Sequence, residues 1–159
     1  MNIAYILLGS NMGNSAVQLN EAIKNITENI GIIRKESSIY STAAWGNTEQ
    51  PNFLNKVLII ETICDAKNLL KKTLHIETKM GRVRTTKNAP RIIDIDILFF
   101  NNEIIGTKNL VIPHPEIANR RFVLVPLAEI AMDFVHPVSK KSIKNMLLEC
   151  KDTLNVQKI

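Results

Sequence analysis

Two aspartates, Asp94 and Asp96, carry the densest chemistry in this chain. They lie in Pro90-Arg91-Ile92-Ile93-Asp94-Ile95-Asp96-Ile97-Leu98-Phe99-Phe100, which reads as a β-strand because β-branched apolar residues alternate along it. Strand side chains alternate faces, so both carboxylates point one way while Ile93, Ile95 and Ile97 point the other. Like charges held that close repel unless a cation offsets them. Two carboxylates with few other ligands are how proteins usually hold Mg²⁺ that also binds substrate phosphates. Arg91, just upstream, adds a cation whose fork matches phosphate oxygens. The loop Gly81-Arg82-Val83-Arg84-Thr85-Thr86-Lys87-Asn88 adds Arg82, Arg84 and Lys87. An isolated run of this kind is a solvated basic loop. Placed directly before an acidic pair it makes a phosphate clamp, and the combination points to metal-assisted phosphoryl chemistry.

Other candidates are weaker on their own. Phe53 and Asn55 share a strand face and project an aromatic plane beside an amide edge, which suits a flat heterocycle. The plainer reading puts Phe53 in the core and satisfies Asn55 with backbone. His114, held on a rigid turn between Pro113 and Pro115, could contact phosphate or act as an acid, although a lone histidine is more often a structural hydrogen-bonder. Phe122 opens an apolar segment and reads as core. Glu77 falls on the inward side of a helix, so it needs a partner, with Arg82 or Arg84 as candidates and a structural role as the better reading. Neither the Gly-x-x-x-x-Gly-Lys-Ser/Thr loop nor Gly-x-Gly-x-x-Gly occurs, which excludes a P-loop enzyme and a protein kinase.

These groups need a frame. The 159 residues, 45% of them apolar, suffice for one domain spanning 1–159 with its own core. A net charge of +5 favours anionic partners. Cys64 and Cys150 lie in no Cys/His cluster, so no zinc site is indicated; free buried thiols are the simpler reading, and a disulfide stays open. The apolar start Met1-Asn2-Ile3-Ala4-Tyr5-Ile6-Leu7-Leu8 has no basic flank and is too short to span a bilayer. It reads as a buried first strand of a cytoplasmic protein. A turn-rich loop follows, then a helix from Ser15, where Ser15 and Gln18 resemble a capping box and Leu19, Ile23, Ile26 and Ile30 form one face up to Gly31. Residues 32–41 read as extended, and Phe53 to Glu61 as a central strand apolar on both faces. Asp65 caps a second helix with Leu69, Leu70, Thr73 and Leu74 inward, ending near Gly81. The order β-α-β-β-α-β predicts an α+β fold with a ferredoxin-like core and helices on both faces of the sheet. Beyond it come a short strand at Leu110 to Ile112 and two or three helical pieces. The last runs over 139–150, with Ile143, Met146, Leu147 and Cys150 on one face.

Several blocks together resemble the 6-hydroxymethyl-7,8-dihydropterin pyrophosphokinase family of folate biosynthesis. They are Gly9-Ser10-Asn11; Gln50-Pro51-Asn52-Phe53-Leu54-Asn55; Glu77 with Gly81-Arg82-Val83-Arg84; the Pro90-Arg91-x-x-Asp94-x-Asp96 element; Pro113-His114; and Asn119-Arg120-Arg121-Phe122 with Pro126-Leu127. The resemblance implies transfer of pyrophosphate from ATP to a pterin hydroxymethyl oxygen, releasing AMP. It implies two Mg²⁺ ions held by Asp94 and Asp96, with Arg82 and Arg91 completing the catalytic set. Arg82, Arg84, Lys87, Arg91, His114 and Arg120 would bind ATP. Phe53 and Phe122 would sandwich the pterin, Asn55 would bond its edge, and Thr42, Ala44 and Trp45 would complete the pocket. The implied partners are ATP and the pterin, with no nucleic acid and no membrane, and the chain is expected to be a monomer. Three positions depart from the family: Asn88-Ala89 where an aromatic often precedes Gly-Pro-Arg, Pro115 where many members have an aromatic, and Leu74 where glutamine is frequent. Two other readings fit parts of the pattern. A ferredoxin-like nucleic-acid-binding module fits the charge but needs exposed stacking aromatics, and aromatics make up only 5% of the chain. A small metal-dependent phosphohydrolase would share the aspartates.

Overall fold

The apolar N-terminal run forms a strand, β1 (Asn2–Ser10), and the stripe that follows forms a helix, α1 (Ser15–Asn29). A computed structural model describes residues 1–44, 49–83 and 89–159. The chain continues through β2 (Gly31–Glu36), β3 (Tyr40–Thr42), β4 (Phe53–Thr62), α2 (Ala66–Lys79) and β5 (Asp94–Phe100). A small hairpin of β6 (Ile105–Gly106) and β7 (Val111–Ile112) precedes a 3-10 turn at Ile117–Asn119. Then come α3 (Arg121–Ala131), α4 (Ile143–Glu149) and β8 (Val156–Lys158).

The main sheet runs β5-β1-β4-β3-β8, and β2 pairs with the far half of β4. All its pairings are antiparallel. Leaving out β3 and β8, the order is that of the expected ferredoxin-like core. Ala4, Ile6 and Leu8 of β1 and Leu58 and Ile60 of β4 pack on Leu19 and Ile26 of α1 and Leu69 and Ile76 of α2. On the opposite face, Leu7 and Val57 meet Val123, Leu124 and Leu127 of α3 and Ile143 and Met146 of α4. Helices therefore cover both faces, which is why β4 is apolar on both sides.

The last helix, expected over 139–150, runs only over Ile143–Glu149, because Ser142 caps it through Asn145 N and Cys150 ends it in extended backbone; other expected elements shift as well. Asn14, not Ser15, caps α1: its extended backbone lets its side chain accept from Val17 N at 3.2 Å. Gly31 opens β2 instead of merely stopping α1, because a Cβ there would lie 2.1 Å from the Glu61 carbonyl oxygen. The extended stretch 32–41 breaks at Ser37, which exchanges N–H and hydroxyl bonds with the Val57 backbone at 2.9 Å and splits it into β2 and β3. Asp65 caps α2 as expected, but Leu74 is 40% exposed. The inward stripe of α2 is Leu69, Thr73, Ile76 and Glu77, so Leu74 falls on its flank toward Ile105 and Leu110. Finally, β5 begins at Asp94, not Pro90, because Asn11 takes both backbone groups of Arg91: N–H to Asn11 Oδ1 at 2.8 Å and Asn11 N–H to the carbonyl at 3.1 Å.

Within β5 the register against β1 slips between Tyr5 and Ile6, so Leu98 is an extra residue. Before it, Ile95 and Ile97 face α1 and α2. After it, Phe99 joins Leu98 on the α3 and α4 face while Phe100 turns back. Cys64 is buried and Cys150 half-buried, both as free thiols. Among the described residues no helix is long and apolar enough to cross a membrane.

Candidate active site

Strand register brings the candidate groups into rows. Tyr40, Asn55, Gly9 and Asp94 are successive cross-strand partners on β3, β4, β1 and β5. Val57, Leu7 and Asp96 form the next row along. Period two then puts Phe53, Asn55, Asp94 and Asp96 on the α3 and α4 face, at the end of the sheet where β1 finishes. Gly9 stands between Asn55 and Asp94. Its missing side chain leaves a floor there, since a Cβ would lie 3.0 Å from Asn55 Oδ1 and 3.7 Å from a Phe53 ring carbon. The resulting cleft is lined by the charged residues Arg91, Asp94, Asp96 and Arg120 and also by Thr42, Ala44, Phe53, Asn55 and Phe122.

The two sets are built differently. Asn55 is buried and donates to Thr42 Oγ1 at 3.0 Å, so its amide orientation is fixed from within the sheet. Phe122 comes from the first turn of α3. It is half-buried and lines the cleft, which corrects the reading of it as plain core. The Arg120 guanidinium lies over its ring, 5.7 Å from the centroid. The start of α3 lacks a local side-chain cap, and Asp152 Oδ2 accepts from Arg121 N at 2.9 Å instead.

In the charged set the two carboxylates differ. Asp94 Oδ1 pairs with Arg82 Nη1 and Oδ2 with Arg91 Nη1, each at 2.7 Å. Arg82 also reaches Glu77 Oε2 at 3.0 Å, and that oxygen accepts from Ile95 N at 2.7 Å. Glu77 is therefore structural, with Arg82 as its partner, and it ties α2 and the basic loop to the start of β5. Here the cations that offset the acidic pair are the protein's own arginines. Asp96 is less well served. Burial, then Asp94 and Glu77, push its pKa up to about 7, and Arg120 and Arg91 only partly oppose this. Among the described residues no group of three or more His, Cys, Asp or Glu could hold a metal ion. The pair fits an ion that takes its remaining ligands from phosphate and water, and the raised Asp96 marks where positive charge is wanted.

His114 donates its backbone N–H to Leu98 O at 3.0 Å, and its Nδ1 accepts from Glu116 N at 3.2 Å. Burial, and then the Arg120 charge, lower its pKa. The imidazole is thus neutral, carries its proton on Nε2, and offers a hydrogen-bond donor rather than a second cation. Sequence reasoning gave no role to Asn11. Besides holding Arg91, it donates to Gln50 Oε1 at 2.9 Å and to Pro51 O at 3.2 Å, joining three loops that border the cleft. The signal available was an amide beside Gly9-Ser10, with nothing to name its partners. Trp45, Arg84, Lys87 and Asn88 lie outside the described residues.

A family model described as 7,8-dihydro-6-hydroxymethylpterin-pyrophosphokinase matches residues 5–132. A Bacillus subtilis 2-amino-4-hydroxy-6-hydroxymethyldihydropteridine pyrophosphokinase is 44% identical over 130 residues, covering 81% of this chain and 78% of that one. An Aquifex aeolicus protein of the same name is 40% identical over 144 residues, covering 91% and 89%. A crystal structure of Plasmodium falciparum HPPK-DHPS superposes with a TM-score of 0.77 at 20% identity, over 93% of this chain but 42% of that one. That likeness concerns the fold alone, and this chain spans less than half of the longer one. The family match, the curated relatives and the shared ferredoxin-like frame agree: the chain belongs to the 7,8-dihydro-6-hydroxymethylpterin-pyrophosphokinase family.

Proposed function

We infer that this cleft holds the phosphates of ATP at Asp94 and Asp96 and a pterin ring between Phe53 and Phe122. The activity is transfer of pyrophosphate from ATP to the hydroxymethyl group of 6-hydroxymethyl-7,8-dihydropterin, giving the pterin diphosphate and AMP in folate biosynthesis. The observation that carries the division of labour is the single cleft lined by both the acidic pair and the flat-ring set.

Mg²⁺, two ions in this reading, would be held by Asp94 and Asp96 and would supply Lewis acidity, easing deprotonation of the alcohol and offsetting phosphate charge. The chain's own groups do the rest. Arg82 and Arg91 pair with Asp94, and the same forks suit the phosphate oxygens of ATP. They then stabilise charge that grows in the transition state. His114 donates from Nε2, and Arg120, Arg84 and Lys87 add to the phosphate field. Asn55 and the backbone around Thr42 and Ala44 bond the pterin edge, with Trp45 completing the pocket. No side chain is assigned as general base. In this reading one domain over 1–159 works as a cytoplasmic monomer on small molecules, without nucleic acid or membrane.

Asp96→Ala is expected to abolish turnover at saturating Mg²⁺, and near-normal turnover would sink the assignment. AMP should form only when pterin is present. ATP hydrolysis without an acceptor would instead favour the phosphohydrolase reading.

A further inference from the structure

Glu129 of α3 is an exposed residue, yet its carboxylate is bonded on both oxygens to residues at and just before the start of β3. Its Oε1 accepts from the Tyr40 hydroxyl at 2.5 Å, both oxygens accept from Ser38 N at 3.1 Å, and Oε2 accepts from the Ser38 hydroxyl at 3.0 Å. Tyr40 itself is buried, at 7% exposure. Desolvation works against the charged carboxylate, but the bonds from Tyr40 and Ser38 outweigh it and hold the Glu129 pKa below the usual range.

The position of this cluster gives it meaning. Glu129 is seven residues after Phe122, about two turns along α3 and on the same face. Tyr40 is two residues before Thr42, on the same face of β3, and directly opposite Asn55. One end of each element therefore carries a wall of the cleft, and the other end carries half of the Glu129 cluster. Pro126 has no N–H for the Phe122 carbonyl, so the first turn lacks one of its own bonds.

We propose that Glu129 and Tyr40 form a positioning latch, fixing the distance between the Phe122 wall on α3 and the Thr42–Ala44 wall after β3 and thereby setting pterin affinity. The latch touches no substrate; it acts through the two walls. It rests on the reading of those walls as the pterin pocket.

The test compares Tyr40→Phe, Glu129→Gln and Phe122→Ala in the full chain. Binding of 6-hydroxymethylpterin is titrated with Mg²⁺ and a non-hydrolysable ATP analogue present, and binding of the analogue is titrated separately. Circular dichroism confirms folding at the working temperature, and Tyr40→Phe removes a single oxygen. Both latch variants are expected to weaken pterin binding about fivefold, with the analogue changed less than about twofold. Equal effects on both ligands, or a lowered Tm with unchanged pterin affinity, would mean a purely structural clamp and would overturn the latch. Unchanged pterin binding in Phe122→Ala would instead remove the pocket reading, and the latch with it. Loss in Phe122→Ala without loss in the latch variants would reject the latch alone.

Discussion

Gly9→Ala adds one methyl group at the floor of the cleft. The new carbon would lie 3.0 Å from Asn55 Oδ1 and 3.7 Å from Phe53, so Asn55 must give by a few tenths of an ångström. Asn55 has little freedom to do so, because it is buried and bonded to Thr42 at 3.0 Å. Overpacking of this kind costs about 1–3 kcal/mol. Replacing glycine inside a strand returns roughly 0.5–1 kcal/mol of backbone entropy. Net stability should therefore fall by only about 0–2.5 kcal/mol, a Tm change of several degrees at most. Ligand binding should separate far more, because the methyl occupies the surface on which the pterin is proposed to lie. Pterin affinity is expected to drop about tenfold, equivalent to ~1.4 kcal/mol, with nucleotide affinity nearly unchanged. Calorimetric titration with each ligand and a thermal melt read both quantities. Pterin binding within about twofold of the parent, at a shift of about 0.4 kcal/mol, would refute the idea that the bare backbone of Gly9 forms the pocket floor.

Three further outcomes follow from the charged set. Arg82→Ala should lower kcat by more than it changes either KM if, as proposed, its phosphate contact forms mainly in the transition state; unchanged kcat would contradict this. Glu77→Ala leaves the Ile95 N–H without its buried acceptor and Arg82 without one partner, so a chemical melt should show a loss of about 2–4 kcal/mol. Asp96→Asn tests the raised carboxyl in metal-free protein. The folded pKa of about 7 exceeds the ordinary aspartate value, so its favourable contribution is complete below pH 4, roughly, and is lost as pH rises through 7. The variant should therefore melt higher than the parent at pH 8 with chelator, and the difference should disappear near pH 4.

Where local periodicity decides, the fold was legible. Alternation placed Asp94 and Asp96 opposite Ile95 and Ile97, and the α1 stripe and the Asp65 cap lie where their spacing indicates. Errors arose where a partner distant in sequence decides the outcome. Leu74 fits an inward stripe by spacing alone, yet Glu77, held by Arg82 and Ile95, pulls the buried face of α2 round past it. The start of β5 depends on Asn11, eighty positions away, and the break after β2 on Ser37 bonding across to Val57. The same limit applies to the site. An acidic pair two residues apart announces itself, whereas the Arg82 and Arg91 pairing, the neutral His114 and the Glu129 cluster depend on angles and distances that no residue spacing encodes. Phe122 looked like core because an aromatic opening an apolar helix normally is; only the cleft beneath it shows the difference.

The extra residue at Leu98 gives β5 two reading frames. Upstream of it, one parity of position serves the cleft; downstream, the opposite parity serves the α3 and α4 core through Phe99. Substituting one apolar residue for another leaves both frames intact. Deleting Leu98 would restore plain alternation, with the aspartates and Phe99 still on one face, and would cost the α3 and α4 layer one buried side chain. The bulge therefore sets packing rather than facing: two neighbouring residues, Leu98 and Phe99, fill the α3 and α4 layer where plain alternation would supply one.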